Sequence, residues 1–496
     1  MTFAVSAQEP VDAFVPHPIA AKPPHPPPRT SRFLDPIKPL WTGFEYKAHQ
    51  HTGIRWLQGR EEAGLGGLVC DEMGLGKTIQ LMALVKASAP RSNSLLIAPV
   101  AVLQQWADIA VKSNITVLRP GAKGWEIQST YRLNAPKLYI IGYEMARNKH
   151  SLVITMDIVW DRLICDEAHR LGGKGSLYTL VDRVPSPIKW LLTATPIVNG
   201  MKDFENLLRL CGVPSKNLGS FETLKPVIKE TVLARTMEQL RAAIPDAPPK
   251  PELQTIDLPF QTEEEGEFYR GMAGVIVKRW KALDSDGGSA LAKLQLFVRL
   301  RQLSLHPQVY ISARRKALGA FYARPDWTGS STKFETIKQL VSAPDSKPHK
   351  WIVFCHFYSE MELLEEMLQA EPTVRNVHLY NGTLSAEERK RVLEETLDPV
   401  PAGKADVLLI QLQSGGVGLN LQHFDRIIFS GPWWTSALME QAIGRAVRIG
   451  QREVVKVYHL RLEEEEAINI DSVMMDKAAA KGELCKAVLE CAEHVC

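Results

Sequence analysis

Long apolar runs are missing from this chain of 496 residues: no stretch reaches the 18 consecutive apolar residues of a membrane span, so no membrane partner is expected. The seven cysteines form no Cys-x-x-Cys pair, which argues against a zinc ribbon or RING-type module, and their scatter as single thiols reads as reduced and intracellular. The start, Met1-Thr-Phe-Ala-Val-Ser-Ala7, lacks the basic residues and apolar core of a signal peptide, so a soluble protein is expected. Charge of neither sign dominates. The net +3 neither demands nor excludes a polyanionic partner, because a basic groove is easily hidden in a nearly neutral total. Runs of five or more Lys or Arg are absent, as are internal repeats, and nothing in the pattern specifies an oligomer.

Proline is concentrated instead of scarce. Residues 1–40 include Pro23, Pro24, Pro26, Pro27 and Pro28 and have few periodic apolar positions, which predicts a disordered or polyproline-II tail; a ligand for proline-binding modules is the alternative. With 45% hydrophobic and 23% charged residues, the chain can bury two or three cores at about 100–200 residues per domain. Apolar runs at Leu95–Ala98, Leu138–Ile141, Leu163–Cys165 and Trp190–Thr193 alternate with helix-length segments, as buried parallel strands do. A second set lies at Trp351–Phe354, Val377–Tyr380, Val407–Ile410, Arg426–Phe429 and Val454–Tyr458, with a helical stretch at Met361–Gln369. Between the two sets, helical patterns at Glu263–Leu283 and Ala290–Leu305 predict a mostly helical insertion. The fold class is therefore α/β: a first parallel-sheet lobe over 41–215, helical protrusions and linker over 216–335, a second lobe over 336–460, and C-terminal helices over 461–496.

Asp71-Glu72-Met73-Gly74-Leu75-Gly76-Lys77-Thr78 reads as a nucleotide loop between an apolar strand and an apolar helix. Gly74 and Gly76 allow a tight turn whose amides point at phosphate oxygens, Lys77 neutralises the β- and γ-phosphates, and Thr78 holds Mg²⁺ through its hydroxyl. The general phosphate-loop pattern has glycine where Asp71 stands, so the match is partial. Downstream, Arg162-Leu-Ile-Cys165 runs into Asp166-Glu167-Ala168-His169. Asp166 is the candidate Mg²⁺ ligand and Glu167 the group that orients and deprotonates the attacking water; an acidic turn at a strand end is the plain alternative. At the far end of the chain, Gln441 to Gln451 carries Arg445 and Arg448, three apart in a helix predicted to begin near Ser436, so both are placed on one face. Such arginines on a second lobe supply charge as the γ-phosphate leaves; a solvated basic helix is the alternative.

In this order the segments resemble the motifs of helicase superfamily two, and specifically its Swi/Snf-like branch, over about Trp41 to Glu490. Tyr46–Gln50 followed by Gly53–Leu57 resembles the branch's adenine-reading motif, which implies Gln50 as an adenine contact; Gln441–Gln451 is similar to its last motif, which adds Gln441 to the nucleotide set. Asp at position 71 is what that branch uses. Ile97–Val100 with Trp106, Gly142–Glu144, Leu192–Pro196, Leu300–Pro307, Phe354–Phe357, Tyr380–Gly382 and Ser414–Asn420 are similar to its remaining motifs. The hydroxyls of Thr193 and Thr195 suit a link from the nucleotide to the nucleic-acid face. The chain departs from the branch at Leu171-Gly-Gly173, Thr435-Ser436 and Val447, none of which removes a group that touches phosphate.

The resemblance implies two RecA-like lobes, ATP and Mg²⁺ as cofactors, and translocation on double-stranded DNA in chromatin remodelling or repair, with nucleosomes as candidate partners and a nuclear location. Alternatives are a strand-separating DNA or RNA helicase and an inactive DNA-binding scaffold. It also implies Ser414, Gly416 and Trp434 at the DNA, through contacts with little sequence readout. Packing between neighbouring motifs is the reading placed slightly ahead for Trp434, because tryptophan is usually core. Lys278-Arg279 and Arg314-Arg-Lys316 read as solvated helix faces. Residues Leu462–Leu489 look like the branch's bracing helices returning to the first lobe, with the acidic run Glu463–Glu466 placed at a positive helix end.

Overall fold

Apolar segments with no polar interruption become the central strands of two parallel sheets. The computed structural model describes residues 37–129, 134–155, 157–244, 246–285, 287–343, 347–412 and 419–492. The tail reading for 1–36 and the DNA assignments of Ser414 and Gly416 lie outside these residues. At the tail's end the reading is corrected: Leu40 is fully buried, and Lys86 Nζ donates to the carbonyls of Pro39 at 2.8 Å and Leu40 at 2.5 Å, because the apolar residues here have lobe 1 to pack on.

The first sheet contains β1 (Gly67–Val69), β2 (Asn93–Ala98), β3 (Thr116–Pro120), β4 (Trp125–Ile127), β5 (Lys137–Gly142), β6 (Arg162–Asp166), β7 (Lys189–Leu192) and β8 (Val232–Leu233). Their order is β4-β3-β5-β2-β6-β7-β1-β8, parallel throughout except where β4 folds back on β3. The second sheet contains β9 (Glu252–Pro259), β10 (His349–Cys355), β11 (Val374–Tyr380), β12 (Ala405–Gln411), β13 (Arg426–Phe429) and β14 (Lys456–Glu463). It is parallel, ordered β11-β12-β10-β13-β14-β9. The segment read as helical linker thus also carries β8 and β9, which close one edge of each sheet. Helices cover both sheets, and among the described residues none is long and apolar enough to cross a membrane.

In the first sheet β6, β7 and β1 are consecutive neighbours, so the loops leaving their carboxyl ends lie side by side. That edge is where ligands bind in open parallel sheets, because strand ends and helix starts there converge on a crevice.

The C-terminal helix Ile470–Leu489 joins the two lobes. Ile470 and Met474 are fully buried in the lobe 2 core with Val353 and Leu460, while Val488, and Ala492 beyond the helix, sit in the lobe 1 core with Phe204 and Leu207. The acidic run does not start this helix, contrary to the sequence reading. Glu463 ends β14 and Glu464–Glu466 form the turn between, where Glu464 accepts from the amides of Glu466 and Ala467; Asn469 caps the helix through Ser472 N. At its first turn Asp471, 2% exposed, meets the fully buried Lys333 at 2.5 Å and accepts from Ser304 Oγ at 3.1 Å.

Removing one partner of such a buried pair leaves the other charge without compensation. Asp471→Ala is expected to lower stability by about 3–5 kcal/mol, measured as a shift of the lobe 2 transition in chemical denaturation.

Candidate active site

The nucleotide loop is shaped by its glycines and anchored by the residues between them. Gly74 and Gly76 adopt φ of +91° and +83°, which side chains rarely tolerate, and Gly76 is the N-cap of the helix Lys77–Lys86. Lys77 and Thr78 are therefore the first two residues of a helix whose free amides and dipole face the crevice. Lys77 Nζ donates to the Asp71 carbonyl at 2.6 Å. Leu75 is fully buried against Met237, Leu240 and Ile244, and its carbonyl contacts His49 Nε2 at 3.0 Å. Gln50 lies at the same place: its Oε1 accepts from Lys47 N at 3.0 Å and its Nε2 faces Gly76.

Three loop side chains, those of Asp71, Glu72 and Leu75, turn inward, which leaves the backbone amides that the sequence reading assigns to phosphate. Asp71 is fully buried and ion-paired with Arg235, Glu72 Oε2 accepts from Met237 N at 2.5 Å, and the Leu75 side chain lies in the apolar cluster. Each side chain satisfies an internal partner and leaves only backbone toward the crevice. Met73 points across it to Gly444 of lobe 2, where an added Cβ would fall 2.7 Å from Met73 Sδ.

Beyond β6, Asp166 Oδ2 accepts from Trp106 Nε1 at 2.8 Å, Oδ1 from the Glu167 amide at 2.9 Å, and the Asp166 carbonyl from Tyr143 Oη at 2.8 Å. Burial, reinforced by the adjacent Glu167 charge, raises the Asp166 pKa. Glu167 sits at φ +50°, a left-handed conformation that costs a non-glycine residue about 1–3 kcal/mol and concentrates at functional sites. Burial works to raise its pKa, but His169, Lys77 and Arg445 together hold it below the usual carboxylate value. His169 Nδ1 lies 3.4 Å from Glu167 Oε2 and 3.3 Å from Thr193 Oγ1, and that hydroxyl accepts from Thr195 N at 3.2 Å. His169 thus lies between the Glu167 carboxylate and the Thr193 hydroxyl.

Lobe 2 completes the site. Gln441 Nε2 donates to Glu167 Oε2 at 3.1 Å, across the crevice. Arg445 is 4% exposed; burial first, and the Arg448 charge second, lower its pKa to about 10 against the pull of Glu167 and Asp166. The helix Ser436–Ala446 begins where the sequence places it but ends before Arg448, which lies in the following turn. Arg448 Nε is tied to the Gly444 carbonyl at 2.8 Å, so the two arginines do not share a helical face. Of the two readings of Trp434, packing is the one seen: its ring stacks on Phe297 with centroids 4.0 Å apart. Two departures from the branch pattern also have packing roles: Leu171 is fully buried in the lobe 1 core, and Val447 lies on that of lobe 2.

His49 falls within the Tyr46–Gln50 motif without being singled out there, and Arg235 carries no motif signal; the one clue to Arg235 is a basic residue just past a short apolar run, at the edge where ligands bind. Thr78 and Asp166 fit Mg²⁺: a hydroxyl at a helix start and a buried carboxylate whose proton affinity is raised by a second carboxylate, a pairing that a dication relieves.

The ionised form of Asp166 is the one that can hold a metal, so activity should rise with pH through its titration. The Trp106 indole favours that form. Trp106→Phe is therefore expected to move the acid limb of the kcat/KM profile to higher pH, and an unmoved limb would contradict the assignment.

Two family descriptions match in chain order: the SNF2-related domain over residues 49–223 and the helicase conserved C-terminal domain over 332–450. The chain is 26% identical to a protein named "Probable global transactivator" from Orgyia pseudotsugata multicapsid polyhedrosis virus, across 85% of this chain and 87% of that one. It is 25% identical to "Chromatin remodeling factor mit1" of Schizosaccharomyces pombe, across 83% of this chain and 31% of that protein. The chain spans less than half the length of mit1 and of the similar Bacillus subtilis and Arabidopsis thaliana proteins. A solved Sulfolobus solfataricus SWI2/SNF2 ATPase core in complex with dsDNA is 20% identical, covering 92% of this chain and 96% of that one, with a TM-score of 0.39; the fold described above rests on its own two sheets and not on that overlay. With both family matches in order and more than half of its residues inside them, the chain belongs to the SNF2-related, helicase-like ATPases.

Proposed function

We propose that this ATPase is an ATP- and Mg²⁺-dependent translocase on double-stranded DNA, working in chromatin remodelling or DNA repair. The observation that carries the reading is the hydrogen bond from Gln441 to Glu167, because it puts the hydrolytic carboxylate of one lobe under the control of the other. A site assembled from two bodies changes their separation as it fills and empties, which is how hydrolysis becomes movement. In this scheme Lys77 would leave the Asp71 carbonyl for the β- and γ-phosphates, and Thr78 and Asp166 would hold Mg²⁺, which would supply neutralisation of phosphate charge. Glu167 orients the attacking water, and Arg445, close to both carboxylates, offsets the charge that develops on the γ-phosphate, with Arg448 beside it.

His169, Thr193 and Thr195 suit the transmission of that state across lobe 1. Choice of duplex DNA over RNA rests on family membership, and the remodelling setting on the printed name of the fission-yeast relative. Nucleosomes as partners and a nuclear location belong to the same proposal. A viral relative of similar length carries a different printed name, "Probable global transactivator".

Lys77→Ala and Glu167→Gln are each expected to abolish ATP turnover, and near-normal hydrolysis by either variant would sink the site. Arg445→Ala should slow turnover by roughly 10³-fold or more with nucleotide affinity largely kept. The wild-type ATPase is expected to respond to duplex DNA without displacing strands. Stimulation by RNA alone, or strand displacement, would replace the translocase reading with a helicase one.

A further inference from the structure

Arg235 is 2% exposed and lies two residues past β8, outside every motif of the nucleotide site. All five of its N–H groups are used. Nε donates to Asp71 Oδ1 at 2.9 Å, and Nη2 to Asp71 Oδ2 at 2.5 Å and Gln80 Oε1 at 2.9 Å. Nη1 donates to the His49 carbonyl at 2.5 Å and Thr52 Oγ1 at 3.3 Å. Gln80 Nε2 closes the ring on Asp71 Oδ2 at 3.0 Å.

These partners belong to three separate parts of the site. Asp71 opens the phosphate loop, Gln80 is two residues beyond Thr78 on the helix the loop starts, and His49 precedes Gln50. A planar guanidinium with a rigid fork fixes all three relative to one another, which a flexible lysine ammonium cannot do. The backbone reinforces the link: Cys70 N donates to the Leu233 carbonyl at 2.7 Å and Glu72 N to the Arg235 carbonyl at 2.8 Å. Immediately afterwards the chain crosses from β8, at the edge of the first sheet, to β9, at the edge of the second. On that path Met237, Leu240 and Ile244 surround Leu75 of the loop, and Ile449 of lobe 2, next to Arg448, packs on the same cluster.

We infer that Arg235 is a positioning residue: it holds the phosphate loop in its nucleotide-binding shape and ties that shape to the crossover between the lobes. The inference rests on the nucleotide-site reading above. A buried pair that only stabilised lobe 1 has no reason to join the loop, both flanking helices and the crossover through one side chain.

The test uses the full chain with Arg235→Lys, Arg235→Met, Asp71→Asn and the double variant Arg235→Met/Asp71→Asn, measuring ATP turnover, binding of a fluorescent ADP, and amide exchange over residues 72–78. Arg235→Met and Asp71→Asn are each expected to raise KM for MgATP and weaken ADP binding by tenfold or more, with a smaller change in kcat. The double variant should be no worse than the poorer single one, within about twofold, because both remove the same constraint. Arg235→Lys should recover part of the loss and show faster exchange at 72–78 with β10 and β12 unchanged. Kinetics and ADP binding within twofold of wild type, with only a lower melting temperature, would overturn the inference. So would losses that multiply in the double variant, or unfolding of lobe 1 by Arg235→Lys. A wild-type chain that binds no ADP would instead overturn the nucleotide site itself.

Discussion

Two bodies can share one nucleotide only if something other than the nucleotide keeps them within a hydrogen bond of each other. In this chain the requirement is met twice. The crossover from β8 to β9 connects the sheets at their edges, and the C-terminal helix is buried in the core of each lobe, through Ile470 and Met474 at one end and Val488 at the other. The Gln441–Glu167 bond, the Met73–Gly444 contact and the packing of Ile449 near Leu75 all depend on that double connection. The helix also needs a firm base, and the buried Lys333–Asp471 pair at its first turn provides one.

Around the nucleotide, electrostatics and strain work on neighbouring residues in opposite directions. Asp166 is buried beside another acid, so its proton affinity rises, whereas Glu167 is surrounded by His169, Lys77 and Arg445 and loses its proton more easily. Adjacent carboxylates separated in this way suit different tasks, one as a metal ligand and one as a base. The left-handed backbone at Glu167 turns its side chain toward lobe 2 at a conformational cost that the Asp166 carboxylate and the His169 contact offset.

The strands buried on both faces, and the loops after β1 and β6, were legible in the sequence because their physics is local: unbroken apolar runs, glycines where φ must be positive, acids at a strand end. β9 was not, since as an edge strand it is largely exposed and reads Glu252-Leu-Gln-Thr-Ile-Asp-Leu-Pro259, with no apolar run to betray it. Arg448 was placed in a helix that stops at Ala446, because Val447 leaves helical geometry there and packs on the lobe 2 core. The internal ion pair of Asp71 was not legible, because its partner, Arg235, lies 164 residues away in the chain. Ion pairs of that range leave no mark in any local pattern.

The C-terminal helix has twenty residues, hence a length of ~30 Å. Held at both ends, it acts as a gauge rod between the lobes. A tilt of about 5° about its lobe 2 end carries the far end of such a rod roughly 2.5 Å, comparable with the 3.1 Å that separates Gln441 from Glu167. A rotation of a few degrees is thus on the scale of the one hydrogen bond by which Gln441 reaches across to Glu167.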